Sequence, residues 1–186
     1  MEDCYAALRW LYAAAGELGV DPGRIAVVGE SAGGGLAASL AQLVRDRAEI
    51  PLRAQLLIYP MLDDRTAAET DPNPCTGEFV WTRESNHFGW ASLLGHENGG
   101  ERIAAYASPA RADDVGGLAP AFIAVGSLDL FLDEGVRYAY RLMRAGVPVE
   151  LHVQPGAVHG YMSLDVEAGR RLRRDAVDAL RAAFAG

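Results

Sequence analysis

Ser31 lies in the run Gly29-Glu30-Ser31-Ala32-Gly33-Gly34-Gly35, between the apolar stretch Ile25 to Val28 and a segment rich in Ala and Leu. A Gly-x-Ser-x-Gly pattern at a strand-to-helix junction is the nucleophile elbow, a tight turn that exposes the serine oxygen and tolerates only small neighbours. The five-residue pattern is a weak signal by itself, and the flanking strand and small-residue helix supply the context it requires. A serine hydroxyl becomes a useful nucleophile only when a base takes its proton and a carboxylate holds that base in one tautomer.

Four histidines are available for the base: His87 and His96 in an irregular segment, His152 inside an apolar run, and His159 in Pro155-Gly156-Ala157-Val158-His159-Gly160. Only His159 follows a strand and sits among small residues, so it is the candidate base. Among the acids, Asp129 directly follows the apolar run Ala121 to Val125. Asp133 and Glu134 open the next helix, where the helix dipole favours acids in the first turn. Asp165 comes after the base and Asp63 follows a different strand, which leaves Asp129 as the leading acid and Asp133 as second.

These residues need a scaffold that brings distant strand ends together. Cys4, Leu8, Leu11, Ala15 and Leu18 share one helical face, ending at Gly19. Apolar runs at 25–28, 56–59, 121–125 and 149–153 read as strands of a parallel sheet buried on both faces. Helices are expected at 36–47, 83–94, 132–145 and 168–184. Strands alternating with helices imply a doubly wound α/β sheet, in which functional groups gather at the carboxyl ends of the strands.

Length and composition fit this picture: 186 residues suit a single domain, 1–186, and 50% hydrophobic content with 23% charged residues excludes disorder. A net charge of −8 argues against a nucleic-acid partner, and Arg170 to Arg174 read as the solvent face of the last helix. Cys4 and Cys75 lack disulfide or zinc-site spacing, so free thiols, no metal and a reducing, cytoplasmic setting are expected. The acidic start Met1-Glu2-Asp3 is unlike a signal peptide, and no apolar run reaches the ~18 residues of a membrane span.

Together, Gly-Glu-Ser-Ala-Gly-Gly at 29–34, Tyr-Pro-Met-Leu-Asp at 59–63, Asp-Leu-Phe-Leu-Asp-Glu at 129–134 and Pro-Gly-Ala-Val-His-Gly at 155–160 resemble the hormone-sensitive-lipase-like carboxylesterases. The resemblance implies an α/β-hydrolase fold, hydrolysis of short acyl esters without a cofactor, and the roles of nucleophile for Ser31, acid for Asp129 and base for His159. Glu30 replaces the aspartate common in this elbow, and Leu130 the proline that often follows the acid. The family also carries a His-Gly-Gly-Gly segment and a helical cap upstream of the serine. Here 30 residues precede Ser31, none of them histidine. The expectation is therefore the C-terminal part of such a fold: about four parallel strands with helices on both faces, and the Ala32 N–H left from the usual oxyanion donors. Three further expectations follow. Met61, Trp81, Phe88 and Trp90 are candidates for a substrate pocket, with core packing as the competing role. The exposed edge of the first strand should be covered by association of chains. A weakly active or non-catalytic hydrolase-like domain is the alternative reading, and a prolyl-oligopeptidase-like peptidase domain is disfavoured by the 29–34 and 59–63 motifs.

Overall fold

The computed structural model describes all residues except Glu97, Arg102, Ala105 and Gly186. Four strands, β1 (Ala26–Glu30), β2 (Ala54–Ile58), β3 (Ala121–Gly126) and β4 (Val149–Gln154), form one sheet in the order β1-β2-β3-β4. Every neighbouring pair is parallel, and the register sets Glu30 beside Ile58, Ile58 beside Ala124, and Ala124 beside His152. Parallel strands in level register end on a common rim, so the loops after β1, β3 and β4 emerge side by side. That rim carries the site.

The helices are α1 (Glu2–Ala13), α2 (Ala15–Leu18), α3 (Ala32–Arg47), α4 (Arg83–Leu94), α5 (Leu132–Arg144) and α6 (Glu167–Ala185). α4 has the bounds its sequence implies: the Thr82 hydroxyl accepts the Ser85 N–H at 3.2 Å, and Gly95, at φ 73°, ends it. The expected first helix is broken at Ala14, and the helix after β1 starts at Ala32 because the elbow glycines are wound into its first turn. Short 3-10 turns at Thr66–Ala68, Pro109–Arg111 and Tyr161–Ser163 punctuate loops that sequence periodicity left irregular.

Side-chain alternation along each strand divides the core into two layers. On β2, Leu57 packs with Leu40, Val44 and Leu142 on the side of α1, α3 and α5, whereas Leu56 and Ile58 pack with Phe122 and Leu172 on the side of α6. Helices therefore cover both faces of the sheet. The sheet has two edges, β1 and β4, and on β1 the side chain of Val28 is 56% exposed. Among the described residues, no helix is long and apolar enough to cross a membrane.

Candidate active site

Ser31 sits between β1 and α3 with φ 56° and ψ −125°, a backbone conformation that costs a non-glycine residue of order 1–3 kcal/mol. Three backbone hydrogen bonds hold it there. Its N–H donates to the Ile58 carbonyl at 2.9 Å, and its own carbonyl accepts from Met61 N–H at 3.0 Å and Gly35 N–H at 3.1 Å. The glycines explain why the turn closes. A Cβ at Gly29 would fall on the Gly33 carbonyl oxygen, one at Gly35 on the Met61 carbonyl oxygen, and one at Gly34 within 2.8 Å of Pro60 Cβ. Around Gly33 itself there is open space.

The turn presents Ser31 Oγ 2.9 Å from His159 Nε2, and His159 Nδ1 lies 2.9 Å from Asp129 Oδ2. With a carboxylate facing Nδ1, the proton belongs on Nδ1, leaving Nε2 as an acceptor for the serine hydroxyl. Asp129 and His159 are both buried. The second oxygen of Asp129 accepts the Phe131 N–H at 2.9 Å, so the carboxylate has partners that offset its removal from water. The sheet ladder continues beyond the ends of β3 and β4 to set these two loops against each other. Ser127 N–H donates to Gln154 O at 2.9 Å, Leu128 N–H to Ala157 O at 3.0 Å, and Gly156 N–H to Ser127 Oγ at 2.8 Å.

Three rings flank the His159 imidazole. Tyr59 and Phe131 meet it edge-on with centroids at 4.9 and 5.1 Å, and Trp81 lies tilted at 6.1 Å. The Tyr59 hydroxyl donates to Glu30 at 2.6 Å, and burial, ahead of that bond, raises its pKa. Burial pushes Tyr161 up to about 12, with the Asp129 charge acting in the same direction. Neither phenol competes with His159 as a base at neutral pH.

The remaining sequence candidates fall elsewhere. His152 is on β4 with Nε2 2.7 Å from Glu150, and Asp63 pairs with Arg65 at 2.7 Å. Asp165, on the surface, pairs with Arg170 at 2.6 Å. Of the four pocket candidates only Trp81 stands against the histidine. Met61 and Trp90 are buried in one apolar cluster with Leu130 and Phe131, and Phe88 is 74% exposed on α4. Close packing under the site is what removes Met61 and Trp90 from its surface.

Glu134 has a larger part than a first-turn acid. Fully buried, it accepts the Leu62 N–H at 2.6 Å, the Asp63 N–H at 3.4 Å and the Thr66 hydroxyl. It thereby ties the start of α5 to the loop after β2, which in turn holds the Ser31 carbonyl through Met61. Burial drives its carboxyl well above the usual range, opposed by those donors. No sequence periodicity reveals these contacts, because all three partners lie in the 62–66 segment, about 70 positions away.

Ala32 is the first residue of α3, and a first-turn N–H has no partner within the helix. It lies at the positive end of a 16-residue helix beside Ser31, an arrangement able to stabilise negative charge near the serine oxygen. Among the described residues, no group of three or more His, Cys, Asp and Glu side chains is arranged to hold a metal ion.

Residues 1–163 match the family described as the alpha/beta hydrolase fold. The chain belongs to the α/β-hydrolase family. Over 166 residues it is 39% identical to a protein named esterase LipI from Mycobacterium tuberculosis, covering 87% of this chain and 50% of that one. Over 164 residues it is 34% identical to a protein named ethyl acetate hydrolase from Pseudomonas putida, covering 88% and 51%. Among solved structures, a bacterial heroin esterase superimposes with a TM-score of 0.89 at 39% identity, over 98% of this chain and 58% of that chain. This α/β-hydrolase chain spans about half the length of the curated relatives it matches.

Proposed function

We propose that this chain carries the nucleophile, base and acid of a carboxylesterase acting on short acyl esters. The observation that carries the reading is the Ser31–His159–Asp129 relay, with both hydrogen bonds at 2.9 Å. Ser31 Oγ attacks the ester carbonyl while His159 Nε2 takes its proton, giving a tetrahedral oxyanion beside the Ala32 N–H. Collapse breaks the bond to the alcohol oxygen, which leaves with the proton from His159, and the acyl group stays on Ser31. Water then attacks the acyl-enzyme, passing one proton to His159. The acid departs and Ser31 recovers its hydrogen. Asp129 remains ionised throughout, orienting the imidazole and stabilising its cation. The preference for short acyl groups rests on the family resemblance.

A serine-directed p-nitrophenyl phosphonate should label Ser31 alone among the seven serines, by forming an Oγ–P bond and expelling p-nitrophenolate. Mass mapping reads the site. Labelling at another serine, or none in folded protein, would remove the relay from the reading.

The Ala32 N–H is an oxyanion donor in this reading, and removing one such donor typically slows turnover by roughly 10²–10³. In this reading residues 1–186 form one domain, and the free Cys4 and Cys75 suit a reducing cytoplasm. Its β1 edge has strand backbone groups paired on one side only, next to exposed Val28 and Trp10. Unpaired strand groups beside apolar side chains favour association. A second copy is the proposed cover for this edge, and light scattering should give at least a dimer. A stable monomer would refute it.

A further inference from the structure

We propose that Trp81 is a specificity-determining residue that forms the alcohol-side wall of the site and favours esters of aromatic alcohols. The inference rests on the esterase reading above and extends it to the leaving group.

The chemistry fixes where the alcohol must lie. During collapse of the tetrahedral intermediate the departing oxygen takes its proton from His159 Nε2, which requires heavy-atom separations of roughly 2.6–3.2 Å. The substituent on that oxygen therefore lies beside the imidazole, whereas the acyl chain extends from the carbonyl carbon on Ser31. Of the three rings that flank the imidazole, Tyr59 and Phe131 are almost completely buried and have no face to offer. Trp81 is half-buried, with its ring 6.1 Å from the imidazole and inclined at 37°. It is the flanking ring that substrate can touch.

Trp81 is also held in place at some cost. Its N–H donates to the Phe79 carbonyl at 2.7 Å, closing a three-residue turn around Val80, whose φ is 63°. Positive φ is a true outlier for a β-branched residue, and a γ-turn of this hand is rare and strained. Val80 is 68% exposed, so burial of its own side chain does not offset the strain. What the turn does accomplish is the placement of the next residue. The indole Nε1–H donates to Asn86 Oδ1 at 3.2 Å. The strained turn at Val80 and the hydrogen bond to a buried amide both restrain the indole orientation. A ring fixed in advance stacks on an aromatic leaving group with little loss of freedom, and has much less to offer an ethyl group.

The test compares kcat/KM, which reports acylation, for phenyl acetate, ethyl acetate and phenyl butyrate in the unaltered chain, Trp81→Ala and Trp81→Phe. Trp81→Ala should lower the phenyl-to-ethyl ratio by roughly two- to tenfold, the scale of one aromatic contact, and leave the butyrate-to-acetate ratio unchanged. Trp81→Phe, which keeps a ring, should restore most of the phenyl preference. A shift in the butyrate-to-acetate ratio alone would place Trp81 on the acyl side. An equal fall for all three esters would make its role structural, and no change would mean that substrate does not touch it. Each of these three results overturns the proposal. If the unaltered chain hydrolyses none of the esters and Ser31 resists the phosphonate, the esterase reading itself has failed and Trp81 has no leaving group to select.

Discussion

Replacing His159 by alanine is expected to lower ester hydrolysis by on the order of a million-fold, whereas His152→Ala should leave most of it. The reason is reach. His159 Nε2 is within 2.9 Å of Ser31 Oγ, while the corresponding nitrogen of His152 is engaged by Glu150 at 2.7 Å on β4. Without His159, Ser31 has no group to take its proton, and an unactivated hydroxyl scarcely attacks an ester. Steady-state hydrolysis of p-nitrophenyl acetate, with thermal melts of both variants, checks this. Comparable losses of rate from the two substitutions, in step with lowered melting temperatures, would point to stability in place of base catalysis.

Asp129→Asn should reduce kcat by roughly 10⁴, with the fold intact. An asparagine that turns its amide N–H toward His159 Nδ1 asks that nitrogen to accept. The ring proton then moves to Nε2, where it can no longer receive a proton from Ser31. Asp133→Asn lacks this effect, since Asp133 lies in the first turn of α5 and the relay runs through Asp129. Measuring kcat for the pair decides between them. A more damaging Asp133→Asn would transfer the role of acid to that residue.

The grouping of Ser31, Asp129 and His159 was legible in the sequence because these residues obey a positional rule: each follows an apolar strand, and parallel strands in register deliver their carboxyl ends to one rim. The same rule separates His159 from His152, one after β4 and the other within it. The parallel strands and most helix bounds follow from periodicity and turn residues, whereas the strand order emerges only from the structure. What escaped was contact made by loops. Glu134 reads as a helix-dipole acid until the 61–66 loop folds over it, and the strained turn at Val80 has no glycine to announce it. The split among Met61, Trp81, Phe88 and Trp90 is equally tertiary. Similar apolar residues end up in the core, beside His159 or in solvent according to which loop covers them.

The glycines of the elbow differ in how far they can be redesigned. At positions 29 and 35 a side chain would meet main-chain carbonyls, and at 34 the body of Pro60, obstacles that no rotamer change relieves. Gly33, the last letter of the five-residue motif, is unobstructed and lies in the first turn of α3. A helical glycine costs roughly 0.5–1 kcal/mol relative to alanine, so the motif's closing glycine is the one the backbone geometry could exchange at a gain. The steric signature of this elbow is thus a glycine two before the serine and a pair three and four after it. A pattern search written on that spacing would describe the shape of the turn better than the five letters by which it is usually found.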